Sequence, residues 1–352
     1  MKKIKIAMIG AGNIANTHLD SYAKVEGAEI YAVCDIDEAR LNKTADKYNI
    51  SRRYTDVDTM LAELSELDAA DVCVWNCNHA SCAIKALNAG LHVLCEKPMA
   101  YSANEAEEMQ AAAEKNGKLL MIGFVLRFSD DARIAMDFIE KGYLGDIYYA
   151  KAQYVRRHGN PGGWFSDKSR SGGGPIIDLG VHVIDLTRYL MGKPKPVSVY
   201  AAASNRLGNR PHLHNSVGWK PENATDDDIC DVEDFATALI RYDNGAVTFL
   251  ETSYDINGED IARRQLFGTK GGMDLTDGVK IYGEYNDYIA DINVSTKHLK
   301  NSQDLFVAEM AHFVDCVANG TPCRASAEDG IVVMKILDAI YESARTGHEV
   351  LL

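Results

Sequence analysis

Apolar runs of strand length alternate with amphipathic segments of helical spacing over the first third of the chain. Such runs predict buried strands, and apolar residues that recur every three to four positions predict the helices between them. Strands are predicted at residues 4–9, 29–34, 70–74, 91–95 and 119–123, and helices at 36–48, 56–64, 80–89 and 103–116. This alternation predicts an α/β domain at residues 1–123, built on a doubly wound parallel sheet.

The pattern changes after Gly123. Strands are predicted at residues 147–155, 197–203, 235–242, 246–253, 263–268, 271–275 and 279–282, and helices at 130–141, 303–318 and 327–344. Strands joined by glycine-containing turns predict a large, mainly antiparallel sheet, so residues 124–352 are expected to form an α+β domain. A helix carrying Asp178 is expected to cover one sheet face. The open face predicts a homo-oligomer, either a dimer or a tetramer.

Charge and hydropathy narrow the class of protein. The chain has 352 residues, of which 46% are hydrophobic and 25% charged, and a formal net charge of −14. Those values fit two globular domains and disfavour a nucleic-acid partner. No run reaches the roughly 18 apolar residues of a membrane helix, and the first residues lack the apolar core of a signal peptide. We therefore expect a cytoplasmic protein without membrane attachment.

Eight cysteines are scattered through the chain, mostly in apolar surroundings, which favours reduced thiols. Cys73, Cys77 and Cys82 are close in sequence but lack the paired spacing of a zinc site. His212 and His214, with the acidic residues 226–228, are metal-ligand types, but an exposed loop is the preferred interpretation. No metal site is predicted.

A glycine-rich turn follows the first predicted strand, with the sequence Gly10-Ala11-Gly12-Asn13-Ile14-Ala15. Gly10 allows a tight turn, Gly12 lets the backbone approach a pyrophosphate, and Ala15 lets the helix pack closely on the strand. A Gly-x-Gly-x-x-Ala element is weak evidence alone, but the strand–turn–helix context that supports it is predicted here. The first domain is therefore expected to be a Rossmann domain that binds NAD(P).

Asp35 ends the second predicted strand, where a carboxylate can accept hydrogen bonds from both ribose hydroxyls of the cofactor. A carboxylate there repels a 2′-phosphate, so NAD is favoured over NADP. Arg40 is counter-evidence, because a nearby arginine could receive that phosphate. Asp35 could also cap the helix that follows it.

Three strand ends should converge at one edge of the parallel sheet: residues 10–14, Trp75 with Asn76, and Glu96 with Lys97. Pro98 blocks further strand pairing and fixes the backbone directly after Lys97. A lysine at a strand end is a turn residue in most proteins. Beside a nucleotide-binding loop, Lys97 becomes a candidate for chemistry.

Asp178 and His182 are four residues apart and share one helix face. A carboxylate one turn from a histidine can orient the ring and support its cation, as a general base requires; a capped helix with a satisfied histidine is the alternative. The loop at 156–165, preceded by Tyr154, is basic, aromatic and glycine-rich, which suits a sugar ring. A surface loop anchored by Trp164 is the alternative.

In this order the motifs resemble the Gfo/Idh/MocA family, the group of glucose–fructose oxidoreductase and inositol dehydrogenase, over nearly the whole chain. The glycine loop, Asn-x-x-His, Glu-Lys-Pro and Asp-x-x-x-His motifs appear at residues 10–15, 76–79, 96–98 and 178–182. Together they are a strong signal. One departure is Val74-Trp75, where the family usually has Thr-Pro, and the tryptophan is expected to reshape the nicotinamide end of the site.

The resemblance implies roles for individual residues. Lys97 and His182 would flank the reacting carbon, with Asp178 in support. The cofactor-binding set would be Gly10, Gly12, Asn13, Ile14, Asp35, Trp75, Asn76, His79, Glu96 and Lys97. The substrate-binding set would be Lys97, Arg127, Tyr154, Arg156, His158, Trp164, Asp178 and His182.

The implied activity is that of an NAD-dependent oxidoreductase acting on a secondary hydroxyl of a sugar, glycoside or polyol. The Trp75 segment and the Gly-Gly-Trp-Phe loop look like those of a sugar-dehydrogenase subgroup. The position expected to be oxidised is C3 of a glucoside. Two alternatives stay open. One is a redox-neutral enzyme with tightly bound NAD that acts on 3-oxo-sugars or glycosides, and the other is a non-catalytic nucleotide sensor.

Overall fold

The computed structural model describes residues 3–210, 212–214, 219–221, 224–225, 227–296 and 299–352. The chain divides into two compact units. One comprises Met1–Phe128 and Gln303–Met334, and the other comprises Ser129–Ser302 and Lys335–Leu352.

The first unit contains a six-stranded parallel sheet in the order β3-β2-β1-β4-β5-β6. Its strands are β1 (Ile4–Ile9), β2 (Ala28–Cys34), β3 (Arg53–Tyr54), β4 (Ala69–Val72), β5 (His92–Glu96) and β6 (Leu120–Gly123). The order reverses direction between β1 and β4, which is the switch point where doubly wound sheets bind ligands. The predicted parallel sheet is confirmed, and β3 is a short edge strand that the hydrophobic pattern did not predict.

Five helices connect these strands. They are α1 (Asn13–Tyr22), α2 (Glu38–Lys47), α3 (Val57–Glu63), α4 (His79–Asn88) and α5 (Ala103–Asn116). Asp37, not Asp35, caps α2, because the Asp37 side chain accepts a hydrogen bond from the Arg40 backbone N–H at 3.0 Å. The prediction that Asp35 caps this helix was wrong, and its carboxylate is used elsewhere.

The second unit contains a nine-stranded sheet in the order β14-β13-β12-β11-β7-β10-β9-β8-β15. Its strands are β7 (Ile147–Val155), β8 (Pro196–Ser204), β9 (Phe235–Tyr242), β10 (Val247–Ser253), β11 (Arg264–Gly268), β12 (Gly271–Asp274), β13 (Lys280–Tyr285), β14 (Tyr288–Asn293) and β15 (Val350–Leu351). Only the β7–β10 pair within this sheet is parallel among the described strands. The predicted mainly antiparallel sheet is confirmed, and β14 and β15 extend it at both edges.

The remaining helices are α6 (Asp130–Glu140), α7 (Lys168–Ser171), α8 (Val181–Leu190), α9 (Leu305–Asn319) and α10 (Ala327–Thr346). A π-helical turn, Ile176–Gly180, leads directly into α8. This turn packs on β10, and α8 packs on β7 and β11, so the two together cover one face of the large sheet. Within the described ranges, no helix is long and apolar enough to cross a bilayer.

Residues 303–334 belong with the first unit, which the division at residue 123 did not predict. Helix α9 packs on α1, and the chain after it returns to the edge of β6. There the Ile122 N–H donates to the Ala325 carbonyl at 2.9 Å, and Met121 pairs with Ser326 in an antiparallel bridge. A contact between segments this far apart in sequence leaves no trace in a local hydrophobic pattern.

Candidate active site

The glycine turn between β1 and α1 has the shape that a pyrophosphate site needs. Gly10 has a φ of +100°, and a Cβ at this position would lie 2.2 Å from the Cys73 carbonyl oxygen, so only glycine fits. A Cβ on Gly12 would meet no described atom within 4 Å, so the space above the turn is open. Ala15, on α1, is fully buried. The residues therefore fit a dinucleotide, whose phosphates the N–H groups at the start of α1 would bind.

Asp35 joins this turn to the end of β2. Its carboxylate accepts hydrogen bonds from the Ala11 and Asp37 backbone N–H groups, each at 2.8 Å. The Arg40 guanidinium also binds it with two hydrogen bonds, at 3.0 and 2.9 Å. Asp35 is thus placed where a ribose carboxylate is expected, and Arg40 lies beside it as the sequence suggested.

Glu96 and Lys97 form the turn at the end of β5. The Glu96 carboxylate accepts a hydrogen bond from the Lys97 backbone N–H at 3.0 Å, and the Lys97–Pro98 peptide bond is cis. Glu96 is buried against Gly123, where a Cβ would come within 3.0 Å of the Glu96 carboxylate oxygen. The backbone that carries Lys97 is therefore held by a buried carboxylate.

His18 links that carboxylate to the centre of the sheet. Its Nε2 lies 3.1 Å from a Glu96 oxygen, and its Nδ1 lies 2.9 Å from an Asp71 oxygen, with all three side chains buried. Burial opposes the charged form of His18, but Cys73 and Asp71 outweigh it and raise the pKa well above its ordinary value. Burial raises the pKa of Cys73. The carboxylates of Asp71 and Glu96 lie within hydrogen-bond distance of the two ring nitrogens and stabilise the imidazolium.

Sequence reasoning missed His18. It lies on α1 among residues that read as an ordinary amphipathic helix, and its partners are 53 and 78 positions away. The only available signal was a polar residue on the helix face that must pack against the sheet, which is unusual unless the residue is paired.

His79 connects two of the strand-end turns. Its Nδ1 lies 2.7 Å from the Pro98 carbonyl oxygen, and its Nε2 lies 3.1 Å from the Val74 carbonyl oxygen. Burial lowers the pKa of this histidine. Because both ring nitrogens face backbone carbonyls, the contacts favour a positioning role for His79 over the predicted direct contact with cofactor.

Trp75 and Asn76 lie at the start of the short 3₁₀ turn Asn76–Asn78 that precedes α4. Asn76 is buried, and Trp75 is half-buried. In the glycine turn, Asn13 is exposed and Ile14 is half-buried. Contact of these four residues with the cofactor stays a prediction.

In the second unit, Asp178 lies on the π-helical turn and His182 lies on the first turn of α8. Both are half-buried, whereas most of the residues around them, including Ile177 and Val181, are buried. The predicted shared face is therefore an accessible side of a mostly buried helix. π-Helical turns inserted into α-helices occur frequently at functional sites.

Two glycines and a buried glutamate fix the start of this helix. A Cβ on Gly173 would lie 1.8 Å from the Tyr341 hydroxyl, and a Cβ on Gly174 would lie 2.3 Å from the Glu233 carbonyl. The Glu233 carboxylate accepts hydrogen bonds from the Gly174 and Ile176 N–H groups at 3.0 and 3.1 Å and from the Tyr341 hydroxyl at 2.9 Å. Glu233 thus caps the helix from a distant segment, and sequence reasoning missed this role as well.

Arg156 and Tyr254 lie close enough to Asp178 to interact with its charge, and Tyr154 lies beside Arg156. The Arg156 guanidinium lies 5.3 Å from the Tyr154 ring centroid and donates a hydrogen bond to the Gly159 carbonyl. Burial opposes the charge on Arg156, but Tyr154 and Asp178 outweigh it and raise its pKa. Burial and then Asp178 raise the pKa of Tyr254. A carboxylate, a guanidinium and two phenols therefore form one polar cluster in the second unit.

His158 and Trp164 lie on the loop that follows β7. His158 Nδ1 lies 2.5 Å from an oxygen of the buried Asp255, to which Arg210 also donates at 2.7 Å. This network favours a role for His158 in holding the loop. Trp164 is half-buried and packs on Phe165, with ring centroids 4.0 Å apart, and its contact with a sugar stays a prediction.

Arg127, predicted to bind substrate, is 1% exposed inside the first unit. It donates hydrogen bonds to Asp329 at 2.8 Å and to the Arg324 carbonyl at 2.7 Å. These contacts tie α10 to the end of β6 and favour a structural role for Arg127.

The histidines considered as metal ligands in the sequence, His212 and His214, form no ligand cluster within the part of the chain that the structure describes. Asp226, which belonged to the same interpretation, lies outside the described residues.

A glycine turn at the switch point of a parallel sheet, followed by a strand-end carboxylate, defines a dinucleotide-binding protein. Residues 4–124 match the family description "Oxidoreductase family, NAD-binding Rossmann fold", and residues 132–274 match the "GFO/IDH/MocA C-terminal domain". The chain belongs to the Gfo/Idh/MocA family of oxidoreductases.

Individual relatives cover the whole chain. It is 32% identical to the D-glucoside 3-dehydrogenase of Escherichia coli (strain K12), covering 99% of this chain and 97% of that protein. Among solved structures, the aldose–aldose oxidoreductase of Caulobacter crescentus complexed with glycerol is 25% identical, with a TM-score of 0.82 and complete coverage of both chains. A levoglucosan dehydrogenase complex with NADH and levoglucosan shares the fold at 23% identity, with a TM-score of 0.86 and 99% coverage of each chain.

We expect His18→Asn to lower the free energy of unfolding by about 3–5 kcal/mol near pH 6, because Asp71 and Glu96 would stay buried without their shared cation. The folded-state pKa of His18 is raised above its ordinary value of 6.5. Its contribution is therefore fully present below that value and is lost as the pH rises through the folded-state pKa. Urea denaturation over a pH series measures the difference between variant and wild type, which should shrink at high pH.

The matched control is Lys85→Ala, which breaks the exposed pair of Lys85 with Asp58. Exposed pairs contribute about 0–1 kcal/mol, so this variant should stay close to wild type. Equal losses in both variants, or a His18 effect that grows at high pH, would contradict the assignment of His18 as a buried cation.

Proposed function

We propose that this protein is an NAD-dependent dehydrogenase that oxidises a secondary hydroxyl of a sugar or glycoside, with C3 of a glucoside as the preferred position. The observation that carries the proposal is the accessible pair of Asp178 and His182 on a mostly buried helix, with Arg156 close to Asp178. The full-length similarity to a D-glucoside 3-dehydrogenase supports the substrate class and the position oxidised.

Oxidation of a secondary alcohol removes a hydride from carbon and a proton from oxygen. The bound nicotinamide would accept the hydride. His182 would accept the proton from the hydroxyl oxygen as a general base. The Lys97 ammonium would donate a hydrogen bond to the same oxygen and stabilise the negative charge that develops on it.

Asp178 supports His182 in this scheme. One helical turn separates the two residues, so the carboxylate can orient the imidazole and stabilise its cation after proton transfer. Arg156 and Tyr154 carry hydrogen-bond donors that suit the remaining hydroxyls of a pyranose, and Trp164 offers an aromatic face for its C–H groups. These groups give a sugar several polar anchors and one apolar surface.

Variants at the proposed base and at the lysine test the roles directly. We expect His182→Asn and Lys97→Met each to lower kcat by about 10²–10⁴-fold, since each removes one proton-transfer or charge-stabilising group, while NAD affinity changes little. NADH formation with a panel of glucosides, with the oxidised carbon located by NMR, measures the activity. Calorimetric titration with NAD measures the affinity.

The controls are His348→Asn and Lys280→Met, which change an exposed histidine and a lysine paired with Asp291 near the sheet edge. Both should keep wild-type turnover. Wild-type kcat in the His182 and Lys97 variants would refute the assigned roles. NAD binding with no turnover of any glycoside would favour a nucleotide sensor.

A redox-neutral enzyme is the second candidate, favoured by the similarity to an aldose–aldose oxidoreductase. Such an enzyme keeps its cofactor and returns the hydride to a second sugar, so free NADH does not accumulate. It would use the same Lys97 and His182 for both half-reactions. Product formation from two sugars without added NAD, and without a change in bulk NADH, separates this activity from net oxidation.

NAD is the proposed cofactor over NADP. The Asp35 carboxylate lies at the end of β2, beside the glycine turn, and there it would bind the ribose hydroxyls and repel a 2′-phosphate. We expect Asp35→Ser to shift preference towards NADP, since it removes the repulsion and releases Arg40 from its two hydrogen bonds to that carboxylate. The ratio of kcat/KM values for the two cofactors measures the shift. The double variant Asp35→Ser/Arg40→Ala should lose the gain, and an unchanged ratio in Asp35→Ser would contradict the proposal.

Homo-oligomerisation through the large sheet is also proposed, as a dimer or tetramer. Tyr200, Leu239 and Phe249 are aligned across β8, β9 and β10, and Tyr200 and Leu239 are 54% and 47% exposed. An apolar row on an open sheet face suits association with a second copy.

We expect Leu239→Glu to lower the molar mass measured by light scattering towards that of the monomer. Ile36→Glu, at an exposed apolar residue outside the sheet, should leave it unchanged, and an oligomer intact in Leu239→Glu would exclude this face.

A further inference from the structure

The C-terminal end of α9 carries a cluster of nitrogen and sulfur ligands that the proposed catalytic function does not use. His312 and Cys316 lie one helical turn apart on α9, and Cys323 follows in the loop after the helix. One ligand atom of each residue lies within 4.8 Å of the other two. The three residues do not form a paired Cys-x-x-Cys motif, so their spacing in the sequence does not indicate a zinc site.

The distances suit a shared ion. His312 Nε2 and Cys316 Sγ are 3.3 Å apart. With Zn–N near 2.0 Å, Zn–S near 2.3 Å and tetrahedral angles, two such ligands of one zinc ion are expected at about 3.5 Å.

The loop that brings Cys323 back to the helix is held on both sides. Gly320 ends α9 with a φ of +69°, and the Thr321 hydroxyl donates to Asp315 at 2.6 Å. After Cys323, the Arg324 carbonyl accepts from Arg127 and the Ala325 carbonyl accepts from β6. Cys323 is therefore positioned by a framework of hydrogen bonds, as a preformed ligand site requires.

We propose that His312, Cys316 and Cys323 form a zinc-binding site. One imidazole and two thiolates are soft and borderline donors that favour Zn²⁺ over Mg²⁺ or Ca²⁺. Binding converts both thiols to thiolates and releases their protons to solvent, so a neutral His312 gives a site with no net charge. Three protein ligands leave the fourth position of the tetrahedron for water or another ligand.

The Arg324 backbone N–H donates to His312 Nε2 at 3.0 Å, so that nitrogen already presents a lone pair as acceptor. Zinc binding would replace this hydrogen bond. His312 and Cys323 are half-buried, which leaves a route for the ion. The cluster of His18, Asp71 and Cys73 has a similar ligand set but is fully buried and already joined by hydrogen bonds, so it is the weaker candidate.

Zinc at this site would cross-link the end of α9 to the segment that pairs with β6. The cross-link would stabilise the first unit, because a ligand that binds only the folded state raises its apparent stability.

Metal titration of the full chain, purified with a reductant and treated with a chelator, tests the site. We expect one equivalent of Co²⁺ to give an intense near-ultraviolet sulfur-to-metal charge-transfer band, and one equivalent of Zn²⁺ to displace it and raise the melting temperature. Cys323→Ser should weaken the band and lower zinc affinity by more than about 100-fold. Changing a residue that only hydrogen-bonds to a metal ligand costs roughly 10–100-fold, and loss of a ligand itself should cost more. His312→Gln should lower the affinity while leaving both thiols in place.

Cys82→Ser is the matched control, because Cys82 is a half-buried cysteine on α4 outside the cluster. It should bind both metals like wild type. Circular dichroism establishes whether each variant is folded. If Cys323→Ser does not fold, His312→Gln still tests the site. Absence of a charge-transfer band, equal affinity in wild type and folded His312→Gln, or a Cys316–Cys323 disulfide in place of metal uptake would overturn the proposal.

Discussion

The buried carboxylate of Glu96 is the group on which the strand-end edge of the first unit depends. It accepts a hydrogen bond from the Lys97 N–H and faces the His18 ring, which in turn binds Asp71. A carboxylate in a protein interior is costly unless it is paired and hydrogen-bonded. His18 supplies the pairing and Gly123 leaves the space, so the turn that carries Lys97 is set by packing and charge together.

The second unit positions its candidate base by close approach of backbone. Gly173 and Gly174 leave room for Tyr341 and for the chain at Glu233, and Glu233 in turn receives the first N–H groups of the π-helical turn. This arrangement holds Asp178 on an accessible side of a helix that is mostly buried. In each unit, a buried carboxylate therefore holds a backbone turn by hydrogen bonds. In each case that turn lies next to residues proposed to be catalytic.

Local patterns predicted most of the regular structure. The strand predicted at 147–155 and the helix predicted at 103–116 have the same bounds in the structure. Their apolar spacing reflects packing on one neighbour, so the local pattern is enough to predict them. Short edge strands such as β3 and β15 were missed, since two residues carry no periodicity. Capping of α2 was assigned two residues too early because aspartates at 35 and 37 are equally good caps in sequence.

The sequence by itself determined the parallel sheet, the glycine turn and the candidates Lys97, Asp178 and His182, because each is encoded within a few residues of its own position. Tertiary structure alone decided the role of His18, the return of residues 303–334 to the first unit and the grouping of Cys323 with His312. These features join residues that are distant in sequence or separated by a turn. Their physical cause is pairing in a shared interior, which no local spacing of residues records.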